Sequence, residues 1–272
     1  MSAAVGEPAS DDSWTVVIPA FNEEPFLKRT FETVCTQSEP PSRIVLVDNK
    51  STDGTLKVME ELAASVPDIG VTILSDDRPG KVNALETGIS AVTTEFIALC
   101  DADTVYPADY LKRAARMMKN GATETVASFA FGVYEGTSPL AAKLVRLKGM
   151  IVSSLLPRQG HTGGYGQCFR TSALKAAGGY SASVWPFMVA DHEVVNRILR
   201  RGRIAYAFDH FCLTSARRGD RKRVDWRLHE RLLYNVLPYR FQDWFFYEYL
   251  RPRFEARGMF NSNLRQRDWD AE

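Results

Sequence analysis

Asp101-Ala102-Asp103 closes the apolar run Phe96–Cys100. Side chains at i and i+2 of an extended segment point the same way, so both carboxylates can face one point in space. Two such groups at the mouth of a buried strand are costly without a positive partner, and hard oxygen ligands suit Mg²⁺ or Mn²⁺ carrying phosphates. A structural reading competes: a strand end and a turn, with Asp103 capping a helix that starts near Pro107.

Comparable residues recur along the chain. Asp48 follows the apolar run 43–47 and can accept from a nucleobase imide or from ribose hydroxyls. Its structural counterpart is an Asx turn, with Ser51 or Asp53 capping the next helix. Gly80-Lys81 opens a helix, offering backbone N–H groups and an ammonium to an anion, or simply a turn and a solvated lysine. Asp191-His192-Glu193 begins another helix, whose dipole favours an ionised carboxylate as a general base requires; a helix cap is the plainer account, and His192 reads as structural. His210 follows the run 204–208 and can complete a metal shell with Asp103, or be a core-edge imidazole. Arg217 and Arg218, just after Ser215, can clamp a diphosphate with guanidinium forks, or lie in a solvated loop.

The elements that must position these groups are legible in the pattern. Short β-branched runs at 15–18, 43–47, 71–74 and 96–100 alternate with helical patterns at 24–37, 54–64 and 81–91. That alternation predicts right-handed crossovers and a mostly parallel sheet covered by helices on both faces, with ligands beyond the strands' carboxyl ends. A fifth strand is expected over 125–132, then an amphipathic helix over 140–156 and a Gly-rich loop at 161–166. Further on come short strands at 166–170 and 204–208, helices at 172–177 and 191–201, and a helical, aromatic-rich segment at 224–254. The reading divides the chain into a polar leader (1–12), a catalytic domain (13–215), and a basic loop with a helical C-terminal extension (216–272).

Composition sets bounds on function. The 272 residues carry 34 Lys and Arg against 33 Asp and Glu, so no overall charge favours nucleic acid. Residues 1–12 lack the basic and apolar regions of a signal peptide, and Lys143, Arg146 and Lys148 interrupt the longest apolar helix too densely for a bilayer span. The four cysteines form no C-x-x-C pair, so neither zinc nor a disulfide framework is indicated, and a cytoplasmic location follows. No Walker or G-x-G-x-x-G spacing is present.

Taken together, the segments 16–23, 47–55 and 80–85 and the Asp101-Ala102-Asp103 triplet resemble, in order and spacing, the successive motifs of family 2 glycosyltransferases. Gly166–Arg170, Gly178-Gly179-Tyr180 and Ala190-Asp191 extend the resemblance to about residue 208. The resemblance implies a GT-A fold, a nucleotide-sugar donor, a divalent Mn²⁺ or Mg²⁺ cofactor and inversion at the anomeric carbon. On the matching positions, Pro19, Phe21 and Glu23 line the nucleoside pocket and Asp48 binds the base. Lys81 approaches the diphosphate, Asp101 reads ribose or the metal's water shell, Asp103 coordinates the metal, and Asp191 is the catalytic base. The stretch 215–218 resembles a phosphate-contacting loop in some members.

Two positions depart from the family: Asn49 stands where a second Asp is common, and Ala190 where many relatives carry Glu. The Q-x-x-R-W signature of processive synthases and their membrane helices are absent, which favours transfer of one sugar over polymer synthesis. A saccharide or lipid-linked acceptor is expected, in polysaccharide or glycolipid biosynthesis, with UDP the preferred donor nucleotide. A peripheral membrane contact through 224–254 and a homo-oligomer are further expectations. The competing readings are a nucleotide-sugar-binding protein without catalysis and a nucleotidyltransferase of similar sheet type.

Overall fold

A computed structural model describes residues 13–121, 124–158, 163–215 and 226–266. Four parallel strands, β1 (Trp14–Ala20), β2 (Arg43–Asp48), β3 (Gly70–Ser75) and β4 (Phe96–Cys100), are joined by the helices α1 (Leu27–Cys35), α2 (Thr55–Ser65) and α3 (Lys81–Ser90). Every residue of β1 and β4 is buried, because helices cover both faces and no side of these strands meets water. Val16, Ile18 and Ala98 pack with α1 and α4 (Tyr110–Asn120); Val17, Val45 and Leu99 pack with α3. Gly88 sets the depth of α3, since a Cβ there would stand 2.4 Å from Val17 Cγ1.

The expected α/β architecture is present, a large and mostly parallel sheet in which β3-β2-β1-β4 continue into β8 (Gly166–Arg170), β6 (Thr125–Phe129) and β9 (Arg203–Ala205), in that order. Its far half differs from the expectation. The run 125–132 is not one strand: β6 (Thr125–Phe129) belongs to the large sheet, and β7 (Phe131–Tyr134) to a three-stranded sheet with β5 (Thr104–Val105) and β10 (Phe211–Thr214). The switch occurs at Ala130, whose N–H donates to Gly166 O while the next N–H donates to His210 O. Strand β8 (Gly166–Arg170) enters antiparallel between β4 and β6, and β9 (Arg203–Ala205) is shorter than expected.

Helix α5 (Pro139–Leu155) lies on the small sheet, with Gly149 against the Phe131 ring. α6 (Thr171–Ala176) and α7 (Ala190–Ile198) follow. The segment after residue 226 is not one helix: α8 (Leu228–Val236) stops before Pro238, whose ring disfavours helix in the residue preceding it, and a π turn (Trp244–Leu250) leads into α9 (Arg251–Ala256). Trp226, Tyr234, Phe245, Phe246 and Phe254 are buried in one cluster with Trp185, Val194 and Phe129. Half of the ten aromatics expected to make the 224–254 segment a membrane face are therefore inside the core; Tyr239, Tyr247 and Tyr249 are half-buried, and Phe241 and Trp244 remain exposed. Among the described residues no helix is long and apolar enough to cross a membrane.

Candidate active site

In-register parallel pairing brings the carboxyl ends of β1 to β4 to one edge of the sheet, and each ends in a polar loop. Asn22, in the left-handed region at φ 54°, turns the chain out of β1. Its carboxamide accepts from Thr52 N (2.8 Å), and Glu24 accepts from Gly54 N (2.8 Å), so the loop after β1 is sewn to the loop after β2. Pro19 is buried, Phe21 half-buried, and Glu23 is held by a bond from its N–H to Thr55 Oγ1 (2.8 Å). Asp48 is buried and accepts from Ser51 N, three residues on, at 3.3 Å, while Asp53 accepts from Thr55 N, two residues on, as an Asx turn at the start of α2.

Asn49 explains its own departure from the family pattern. Its Nδ2 donates to Asp76 O (2.9 Å) and Arg78 O (2.8 Å), and its Oδ1 accepts from Gly80 N (3.0 Å). A carboxylate cannot donate, so Asp in this place would leave the buried Asp76 carbonyl and the half-buried Arg78 carbonyl without this partner. The loop held this way is further clamped by Arg78, which grips Asp76 through two nitrogens at 3.1 and 2.8 Å, with Thr87 Oγ1 at 2.6 Å. Burial pushes the Asp76 carboxyl up, but these hydrogen bonds outweigh it and hold the group at about 2. From the opposite side Asn261 accepts from Val82 N (3.1 Å). Gly80 sits at φ 113°, where a Cβ would also stand 2.9 Å from Asn261 Oδ1. Lys81 is thereby aimed from the first position of α3.

Its ammonium is ion-paired with Asp101 at the end of β4. Asp103 does not cap a helix: α4 begins at Tyr110, and Asp103 lies in the turn between β4 and β5. Thr30 pins that turn by donating to Ala102 O (2.8 Å) and Thr104 O (2.9 Å). Tyr106 accepts from Asp101 N (2.9 Å) and donates to Tyr165 O (2.7 Å), tying the Asp pair to the Gly-rich loop.

The second half of the chain meets the strand-end loops at Gly164. A Cβ on this residue would lie 3.6 Å from Asp191 Cβ and 3.8 Å from both Lys81 Nζ and Tyr180 Oη. Helix α7 starts from Val189, itself left-handed at φ 55°. Of the two first-turn acids, Glu193 turns inward to Arg197 (2.7 Å) and Tyr247 (2.5 Å), so Asp191 is the carboxylate that faces the crevice loop. Arg197 also holds Gly179 O (2.8 Å), fixing the turn before Tyr180. Tyr180 donates to Gln167 (2.7 Å); burial first, then the nearby Asp191 and Asp101, raise its phenol so that it stays protonated. The sequence marked Tyr180 only as part of the Gly178-Gly179-Tyr180 segment; that its hydroxyl lies beside the Gly164 position with Asp191 and Lys81 is decided in three dimensions. His192 packs edge-on against Trp226 and Tyr234, as a structural residue.

His210 is not brought to the Asp pair. It is fully buried and stacked on Tyr110, and burial lowers its imidazole to about 3. β10 pairs antiparallel to β5 with Thr214 opposite Thr104, so His210 lies at the other end of the strand, roughly 14 Å from Thr214 at about 3.4 Å per residue. The unexpected strand at Phe211–Thr214 is the reason. The chain leaves β10 beside Asp103 and runs towards Arg217 and Arg218, which lie outside the described residues. Among the described residues no group of three or more His, Cys, Asp or Glu could hold a metal ion.

The family model described as glycosyl transferase family 2 matches residues 15–174. The undecaprenyl-phosphate 4-deoxy-4-formamido-L-arabinose transferase of Klebsiella pneumoniae is 30% identical over 110 residues, 39% of this chain and 34% of that protein. The glycosyltransferase GlyA of Streptococcus pneumoniae is 26% identical over 102 residues, 38% of this chain and 14% of that one. The match thus spans about a third or less of these relatives' length. The fold is similar to the mannosyltransferase PcManGT of Pyrobaculum calidifontis in complex with GDP-Man and Mn²⁺ (TM-score 0.61, 21% identity, 92% of this chain and 69% of that one). It is also similar to S. aureus TarS 1–349 in complex with UDP-GlcNAc (TM-score 0.59, 19% identity, 89% and 73%).

Proposed function

The chain belongs to glycosyl transferase family 2, and from that premise we propose that it moves one sugar from a nucleoside diphosphate sugar, UDP-linked by preference, to an acceptor hydroxyl with inversion at the anomeric carbon. The observation that carries the reading is the meeting of Lys81, Asp101, Asp191 and Tyr180 around Gly164. A cation for the leaving group and a carboxylate for the nucleophile then sit in one crevice, as a single displacement requires.

Pro19, Phe21, Glu23 and Asp48 hold the nucleoside, Asp48 accepting from the base. Lys81, with Arg217 and Arg218, neutralises the diphosphate. Asp103 would hold Mn²⁺ or Mg²⁺, its carboxylate being the hard oxygen donor such a cation takes, and Asp101 would contact the ribose or the ion's water shell. When bound, the ion supplies Lewis-acid stabilisation of the departing diphosphate. Asp191 takes the proton of the acceptor hydroxyl, which attacks the face opposite the leaving group. His210 has no part in this scheme.

The acceptor is a saccharide or a lipid-linked saccharide. Support for the lipid-linked form comes from the Klebsiella relative, whose name specifies undecaprenyl phosphate. The decisive experiment incubates the protein with UDP-, GDP-, CDP- and dTDP-sugars and Mn²⁺ and follows nucleoside diphosphate release. Release from one donor, lost on chelation, is the expected result; binding without release in any acceptor mixture would favour a non-catalytic binding protein.

A further inference from the structure

Helix α5 is amphipathic the wrong way round for a core helix. The face turned to the protein carries Ala142, Arg146, Gly149 and Ser153, with Gly149 against Phe131 and the Arg146 guanidinium over the rings of Phe208 and Phe211, 4.6 Å from each. The outward face carries Leu140, Leu144, Leu147, Ile151 and Leu155, exposed by 70, 57, 48, 51 and 75%. Their spacing of three and four residues aligns them in one stripe. At about 100° per residue, Lys143 and Lys148 flank that stripe on either side. Of the 17 residues of α5, only Ser153 is buried.

We propose that this face docks on an anionic membrane surface, with the leucine stripe at the acyl boundary and Lys143 and Lys148 on lipid phosphates. Charge selects this occupant. The sequence contains no Asp or Glu from Gly136 to Ala190, while Lys143, Lys148 and Arg158 accompany the stripe. A second copy packed through the same face by a two-fold axis would bring lysines against lysines with no carboxylate to pair them. An anionic bilayer supplies both the apolar phase and the counter-charge. The C-terminal segment adds to the surface: Arg158 stacks on Tyr239 at 4.5 Å, and Leu228, Leu232 and Val236 of α8 are exposed at four-residue spacing.

The placement bears on the crevice. Helix α5 follows β7, whose last residue Tyr134 pairs with Thr214 beside the Asp pair, and the chain after α5 returns to Gly164. A membrane held by α5 therefore lies along the element that joins both sides of the site.

The full chain is floated with vesicles of phosphatidylcholine alone and of phosphatidylcholine with phosphatidylglycerol. Flotation with the anionic vesicles only, weakened by salt, is expected. Leu147→Glu with Ile151→Glu, at solvent-exposed positions, reduces the bound fraction about tenfold or more. Lys143→Gln with Lys148→Gln keeps the stripe and loses the preference for anionic lipid. Thermal melts check that each variant is folded. Failure of the wild type to float, or equal flotation of the Glu variant, overturns the proposal. So does a concentration-dependent dimer that the Glu variant abolishes, which would assign the face to self-association.

Discussion

The ammonium of Lys81, at the start of α3, is ion-paired with Asp101, at the end of β4, across the mouth of the crevice. The pair closes a ring of elements, because α3 is held by Asn49 and Asn261 and the turn after β4 by Thr30 and Tyr106. In the proposed reaction, donor phosphates would compete with Asp101 for this cation. Lys81→Met is therefore expected to raise KM for the nucleotide sugar more than it lowers kcat, and Asp101→Asn to free Lys81 while weakening the dependence on metal. Steady-state kinetics over a Mn²⁺ titration separates the two.

The proposed mechanism gives Asp103 the metal and Asp191 the acceptor proton. Asp103→Ala should abolish metal-stimulated release of nucleoside diphosphate and leave the melting temperature close to that of the wild type. Asp191→Asn should retain donor binding and lose about 10²–10⁴-fold in kcat, the usual contribution of a positioned general base. Undiminished turnover in either variant would remove that residue from the mechanism.

Asn49→Asp restores the family's common residue and should harm this protein. The carboxylate cannot donate to Asp76 O or Arg78 O, at a cost of about 1–3 kcal/mol. Thermal denaturation measures that loss, and a higher donor KM shows that the Gly80-Lys81 loop has moved.

The buried imidazole of His210 gives the fold an acid-sensitive slope. Its folded value of about 3 lies below the ordinary 6.5, so between these limits the unfolded chain binds the extra proton. Stability from this group is complete above about pH 6.5 and falls with pH towards 3, by at most ~1.4 kcal/mol per pH unit. His210→Phe, which preserves stacking on Tyr110, should flatten the dependence of denaturation midpoint on pH in that window. An unchanged slope would assign the sensitivity elsewhere.

Asp76 works in a lower window. Held at about 2 against an ordinary 3.8, it stabilises the fold fully above the ordinary value and loses that contribution as pH falls through about 2. Asp76→Asn should be less stable at neutral pH and differ little from wild type near pH 2, as urea titrations at both values would reveal.

The parallel half of the fold was legible because β1, β2 and β4 are short apolar runs followed at once by turn residues, and a strand buried on both faces has no other way to be written. Asp48 and Asp101 at strand ends and Lys81 in the loop beyond β3 could be named for the same reason: in such a sheet the carboxyl ends share one edge, whatever the helices between them do. By itself the sequence determined the alternation, the family and the crevice edge.

Tertiary structure alone decided the rest, because those choices depend on contacts between residues distant in the chain. The switch of sheets at Ala130 and the strand Phe211–Thr214 come from pairing partners far apart in sequence, and they carry His210 away from Asp103. Which acid of α7 faces the crevice was set by Arg197 and Tyr247 claiming Glu193. The outward leucines of α5 follow the period of a core helix, and periodicity records that a helix has two faces without saying which one meets the protein.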